Sequence, residues 1–186
     1  MHLLMDQQGW VSGAQHIKSP NYNVRPQGSP INLLIIHSIS LPPGKFGGDA
    51  ITQLFLNQLD YSAHPYYATL IGLEVSSHFL IRRDGSLIQY VSCLDRAWHA
   101  GQSSWRNRAN CNDYSIGVEL EGTDDSAFTE KQYATLQFLI ELLKQHYPIS
   151  DIVGHEDVAP GRKTDPGPYF DWQRVSHFTE DNASPS

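Results

Sequence analysis

Cysteine is scarce in this chain: Cys93 and Cys111 are the only two among 186 residues. Two so sparse build no disulfide framework of the kind that staples small secreted domains, and both are read as free thiols. Long apolar runs are missing as well. No stretch approaches the roughly 18–20 consecutive apolar residues that a membrane-spanning helix needs. The opening MHLLMDQQGW carries an acid at position 6 and no apolar core of signal-peptide length, so the expectation is a cytoplasmic protein with no membrane partner. Basic runs are absent too, and the formal net charge is −7, which argues against nucleic acid as a partner.

What is present is globular in character. Hydrophobic residues make up 40% and charged residues 18%, which excludes a disordered chain. The length suits one domain that buries about two-thirds of its unfolded surface. Residues 1–30, rich in Gly, Ser, Pro and Asn, read as an irregular arm. INLLII (31–36) reads as a strand buried on both faces, with His37 at its end. Ile51, Leu54, Phe55 and Leu59 share one helical face behind Asp49 as N-cap. SSHFLIRRDGSLIQYV holds a hairpin turning at Asp84-Gly85. YSIGVELEG (114–122) alternates, placing Ile116, Val118 and Leu120 on one face and Gly117, Glu119 and Glu121 on the other. A capping-box pattern at Thr129 and Gln132 starts a helix striped by Tyr133, Leu136, Ile140, Leu143 and Tyr147 and ended by Pro148. ISDIV (149–153) then forms a strand that delivers Gly154-His155. This order predicts an α/β fold, a single domain with a central mixed sheet flanked by helices. No repeat or linker divides it.

Nine histidines are available, but only His37 and His155 follow directly on a buried-strand pattern. Ligands gather beyond strand ends in α/β sheets, although each ring taken singly reads more readily as an ordinary strand-end His. Asp165 lies in TDPGP, where Pro166 and the following Gly-Pro restrict its backbone as a pre-placed ligand requires; a turn-forming Asp before Pro is the plainer reading. Two neutral imidazoles and one carboxylate form a known catalytic zinc set that leaves a fourth position open for water. Glu119 interrupts an apolar strand and is the candidate general base, against the alternative of a solvated charge on an open sheet face. Lys163 projects from the same stiff loop as Asp165 and is the candidate stabiliser of an oxyanion; alone it would pass for a surface lysine. Arg82, Arg83, Arg106, Arg108 and Arg162 are candidates for substrate carboxylates, most of them read as surface charges. Trp98 beside His99 could form a wall for a ligand; core packing for Trp98 and a supporting hydrogen bond for His99 are the preferred readings.

LLIIHSISLPPGKFGG, SSHFLIRRDGSLIQYV, RAWHAG, CNDYSIGVELEG and VGHEDVAPGRKTDPGPYFDW together resemble the AmpD-type N-acetylmuramyl-L-alanine amidases. These belong to the zinc amidase superfamily shared with T7-type lysozyme and the peptidoglycan recognition proteins. The resemblance runs from about Ile31 to Trp172. It implies a catalytic core over 31–172, an arm over 1–30 and a tail over 173–186 of one zinc amidase domain. It implies a hydrolase that cuts the amide between the lactyl group of the amino sugar and L-alanine of the stem peptide. Its substrate would be a small 1,6-anhydro-muropeptide, met in the cytoplasm during peptidoglycan recycling. By position, His37, His155 and Asp165 match that branch's Zn2+ ligands, Glu119 its base and Lys163 its oxyanion-stabilising lysine. Asp165 in place of Cys, Ser77 in place of Tyr and the presence of Glu119 favour this branch over its relatives. Ser38, Glu74 and Asn110 depart from its usual pattern and bear on substrate grip. Two other readings stand beside it: a broader amidase acting on polymeric peptidoglycan, and a non-catalytic peptidoglycan-binding module.

Overall fold

In the computed structural model, which describes residues 3–180, the apolar run Leu33–Ile36 is at most 1% exposed at every position. It lies within a seven-residue strand, β2 (Leu33–Ile39), that carries His37 inside the strand rather than beyond it. A six-stranded sheet surrounds it. The other strands are β1 (Gln15–His16), β3 (Phe79–Ile81), β4 (Leu87–Gln89), β5 (Ser115–Glu121) and β6 (Asp151–Gly154). They line up in the order β6-β2-β5-β3-β4-β1. β6, β2, β5 and β3 run parallel, β4 turns back on β3 through the hairpin, and β1 runs parallel to β4. The sheet is therefore mixed.

Alternation along β2 and β5 sorts the two faces. Leu34, Ile36, Ile116, Val118 and Leu120 pack against Tyr133, Leu136, Leu139, Ile140 and Leu143 of helix α2 (Glu130–His146). Each fully buried aliphatic side chain there is worth roughly 1.5–3 kcal/mol. Thr129 and Gln132 make the expected capping box. Gln132 also donates through Nε2 to the carbonyls of Ile81 and Glu121, which ties the start of α2 to the ends of β3 and β5. On the opposite face, Leu80, Ile88 and Tyr90 pack against Ile51, Leu54 and Phe55 of α1 (Ala50–Phe55). Leu33, Ile35 and Val153 pack there against Ala100, Cys111, Tyr114 and Val158. Between these two clusters the same face carries polar side chains.

Two local expectations change. Asp49 flanks α1 but makes no side-chain cap, and the helix stops at Phe55, short of Leu59. Asn57, at φ +59°, takes the left-handed conformation that ends helices. Leu59 still buries itself in the same cluster. Residues 3–30, read from composition as irregular, are integrated into the structure. Leu3 and Val11 join the main core, and Gln15–His16 forms the sheet edge. Buried Gln89 satisfies this join, accepting from Val11 N and donating to Gly9 O. Pairings of two residues leave no periodicity to read. The tail, expected from 173, begins with a short turn at Trp172–Arg174 and helix α4 (His177–Glu180); its last part, 181–186, and His2 lie outside the described residues. Cys93 and Cys111 are free thiols, and both are buried.

Candidate metal centre

Parallel pairing of β2 and β5 sets Glu119 directly beside His37, and Gly117 beside Ile35. β6, on the other side of β2, ends at Gly154, and His155 opens the short helix α3 (His155–Val158). The loop after α3 then turns back over the sheet. Arg162 N and Lys163 N donate to Ala159 O, and Glu156 N donates to Asp165 O at 2.9 Å. Gly167, at φ +85°, lets this loop lie against residue 124, where any Cβ would collide with backbone.

These elements bring His37, His155 and Asp165 together. His37 Nδ1 and His155 Nδ1 are 3.0 Å apart. Asp165 Oδ2 lies 3.2 Å from His37 Nδ1, and Asp165 Oδ1 lies 3.2 Å from His155 Nδ1. Ligands on bonds of about 2.0–2.2 Å around a tetrahedral Zn2+ sit roughly 3.3–3.5 Å apart, close to this triangle. The outer ring nitrogens are occupied elsewhere: His155 Nε2 donates to Ala100 O at 3.0 Å and His37 Nε2 contacts His99 Nδ1 at 2.9 Å. With those protons outside, both Nδ1 lone pairs face one another beside a carboxylate. A cation satisfies that arrangement, so the residues present fit a zinc site.

Electrostatics agrees. Burial pushes His37 down to about 4 against the pull of Asp165, so the ring is neutral at pH 7. Glu119, 8% exposed, is pushed well above its ordinary value, first by burial and then by Asp165, with Lys163 opposing. A bound dication would act with Lys163 in that sense. Glu119 Oε1 is 3.9 Å from His37 Nδ1, and its Oε2 is buried with no hydrogen-bond partner among the described residues. The solvated-charge reading of Glu119 therefore gives way to a buried carboxylate with unused acceptor capacity.

The triad and Glu119 open into a cleft of about 390 Å³. Tyr66, Leu70, Leu73 and Trp98 are among its apolar lining, and Lys163, exposed and on the rim of the same cleft, faces it with Ser38. The five candidate arginines do not line it. Arg82 pairs with Glu121, Arg106 with Asp151, and Arg108 stacks on Tyr114. Arg83 donates to Ala127 O, and Arg162 donates to Ala100 O. Glu74 and Asn110 also stand outside the cleft lining, whereas Ser38 belongs to it. Over Gly117, on the same face as Glu119, lies the His99 ring, which a Cβ on Gly117 would meet at 2.5 Å.

The N-acetylmuramoyl-L-alanine amidase family profile matches residues 27–168. The 1,6-anhydro-N-acetylmuramyl-L-alanine amidase AmpD of Escherichia coli K12 is 51% identical over 170 residues, covering 90% of this chain and 93% of its own. A crystal structure of a selenomethionine AmpD derivative superposes with a TM-score of 0.91 at 50% identity, over 94% of this chain and 98% of that one. The amidase AmiD of E. coli, solved with the substrate anhydro-N-acetylmuramic acid-L-Ala-D-γ-Glu-L-Lys, matches at 30% identity and a TM-score of 0.54, over 94% of this chain and 65% of that one.

Proposed function

The chain belongs to the N-acetylmuramoyl-L-alanine amidase family, and on that premise we propose that it is a zinc hydrolase of 1,6-anhydro-muropeptides. It cleaves the amide between the lactyl group of 1,6-anhydro-N-acetylmuramic acid and the L-alanine of the stem peptide. One amidase domain spans 1–186, with 31–172 as its catalytic core. The observation that carries the reading is the convergence of His37, His155 and Asp165 beside a buried Glu119 whose Oε2 has no partner.

His37, His155 and Asp165 would hold the metal. Zinc, when bound, acidifies water and polarises a carbonyl. Glu119 takes the proton of the attacking water through its free oxygen as the new C–O bond forms. The Lys163 ammonium lies along the cleft where negative charge develops on the carbonyl oxygen. Glu119 then returns the proton to the alanine nitrogen as the C–N bond breaks, leaving a free carboxylate on the sugar and a free amine on the peptide. Tyr66, Leu70, Leu73 and Trp98 line the cleft beside these groups and offer apolar surface to the substrate.

The substrate class is supported by the names of the relatives and by the ligand solved with AmiD. Action in the cytoplasm, within peptidoglycan recycling, belongs to the same reading. Among the described residues no helix is long and apolar enough to cross a membrane. Incubation with anhydro-muropeptide and with intact sacculi, with and without chelator, tests it. Release of peptide from the anhydro fragment alone, lost with chelator, is expected. Equal release from sacculi would favour the broader amidase, and no release would favour a binding module. Metal analysis should find one zinc per chain, lost along with activity in Asp165→Ala; full turnover by a metal-free Asp165→Ala protein would refute the ligand set.

A further inference from the structure

Two imidazoles offer Nδ1 to one cation only when each carries its proton on Nε2, and the partner of Nε2 enforces that choice. Here both partners come from one short stretch. His155 Nε2 meets the carbonyl of Ala100. His37 Nε2 meets the neighbouring residue's ring, at His99 Nδ1. His99 accepts there only with its own proton on Nε2, and that atom lies 3.2 Å from Ser115 Oγ, which takes it. His99 is buried, at 8% exposure. It lies directly over Gly117, the one place on β5 without a side chain to displace it.

The stretch is itself clamped. Asn112, 6% exposed, accepts with one oxygen from both His99 N, at 3.2 Å, and Ala100 N, at 2.9 Å. Arg162 Nη2 donates to the same Ala100 carbonyl that holds His155. We propose that His99 and Asn112 are positioning residues for the metal. His99 fixes the proton of His37, and Asn112, through the backbone of 99–100, fixes the partners of both ligand rings. This rests on the reading of His37, His155 and Asp165 as the ligand set. Outer partners of this kind set metal affinity by about 10- to 100-fold.

The test measures zinc affinity of the full chain by competition with a chromophoric chelator, with melting temperatures of metal-free and zinc-loaded protein. His99→Phe keeps the ring shape over Gly117 and removes the acceptor. It should bind zinc about 10- to 100-fold more weakly, with the zinc-induced rise in melting temperature reduced and the metal-free melting temperature near that of the parent. His99→Gln, which restores an acceptor, should recover most of the affinity. Asn112→Leu should weaken zinc and Asn112→Asp should restore it. Parental affinity in both His99→Phe and Asn112→Leu overturns the proposal while leaving the ligand set intact; a parent that binds no zinc overturns the ligand set and the proposal with it. Should the variants not fold, two-bond 1H–15N spectra of the zinc-loaded parent decide. Protons on Nε2 alone of His37, His99 and His155 support the proposal, and a proton on His99 Nδ1 overturns it.

Discussion

Glu119 and Glu121 sit two residues apart on the same face of β5, both carboxylates and both buried, at 8% and 2% exposure. Their surroundings differ completely. Glu121 accepts from Gly47 N at 2.5 Å and from Arg83 N at 3.2 Å and pairs with Arg82 at 3.6 Å, so it fastens the loop after β2 and the β3–β4 hairpin to the sheet. Glu119 stands beside His37 with one oxygen buried and unpartnered. Buried polar atoms are almost always paired, so an unfilled acceptor beside His37 supports Glu119, and not Glu121, as the proposed base. The filled one is structure.

Four substitutions probe that contrast. The largest effect is expected from Glu119→Gln, with turnover of anhydro-muropeptide falling about 10²- to 10⁴-fold. Zinc content and melting temperature should hold, since the change removes a buried charge that has no partner; an unchanged turnover with zinc retained would end the base assignment. Lys163→Ala comes next, at roughly 10- to 100-fold in kcat, below the loss for a buried oxyanion donor because the ammonium is exposed and screened. An unaltered kcat with raised KM would make Lys163 a substrate contact instead. Glu121→Gln should invert the pattern of Glu119→Gln: a stability loss of about 1–3 kcal/mol by urea titration, with kcat within a few-fold of the parent. If Glu121→Gln abolishes turnover at unchanged stability, the contrast is wrong.

The smallest effect extends the comparison to imidazoles. His78 accepts from Gly117 N and contacts Asp95 O and Arg25 Nη2, and its ring centroid lies 5.8 Å from that of His99. Burial, then Arg25, pushes His78 down to about 3. It stays neutral when folded, while the unfolded chain takes up a proton below about 6.5. Its contribution to stability is therefore complete above about pH 6.5 and lost as the pH falls toward 3. The slope is at most about 1.4 kcal/mol per pH unit for one proton. Urea titrations at pH 7, 6 and 5 should give a shallower loss for His78→Gln than for the parent at equal zinc loading; parallel slopes would show that His78 titrates normally.

Much of the frame was legible before any coordinates. The apolar run before His37, the alternation around Glu119 and the capping box at Thr129 each follow from a period that the chain displays locally. The triad was legible for a different reason: each member closes a stiff or buried segment, and the zinc set constrains which residue types can meet. What the sequence hid has no period. The two-residue strands of the N-terminal segment are too short to show alternation, and α1 stopped early on the left-handed turn at Asn57. The five arginines looked alike in sequence because a cation's partner is a matter of tertiary contact. Asn112 and Arg162 were invisible as supports for the same reason, since what they hold is backbone far along the chain.

The shared direction of β2 and β5 has one more consequence. Neighbouring strands that run the same way keep acid and first ligand abreast through the backbone ladder alone. The ladder runs from Leu33 and Ser115 to Ile39 and Glu121, so that alignment is set within the sheet and not by the loops that follow it. In the proposed reaction, the pairing of Glu119 with His37 is thus a property of the sheet, whereas what enters the cavity depends on the side chains that line it.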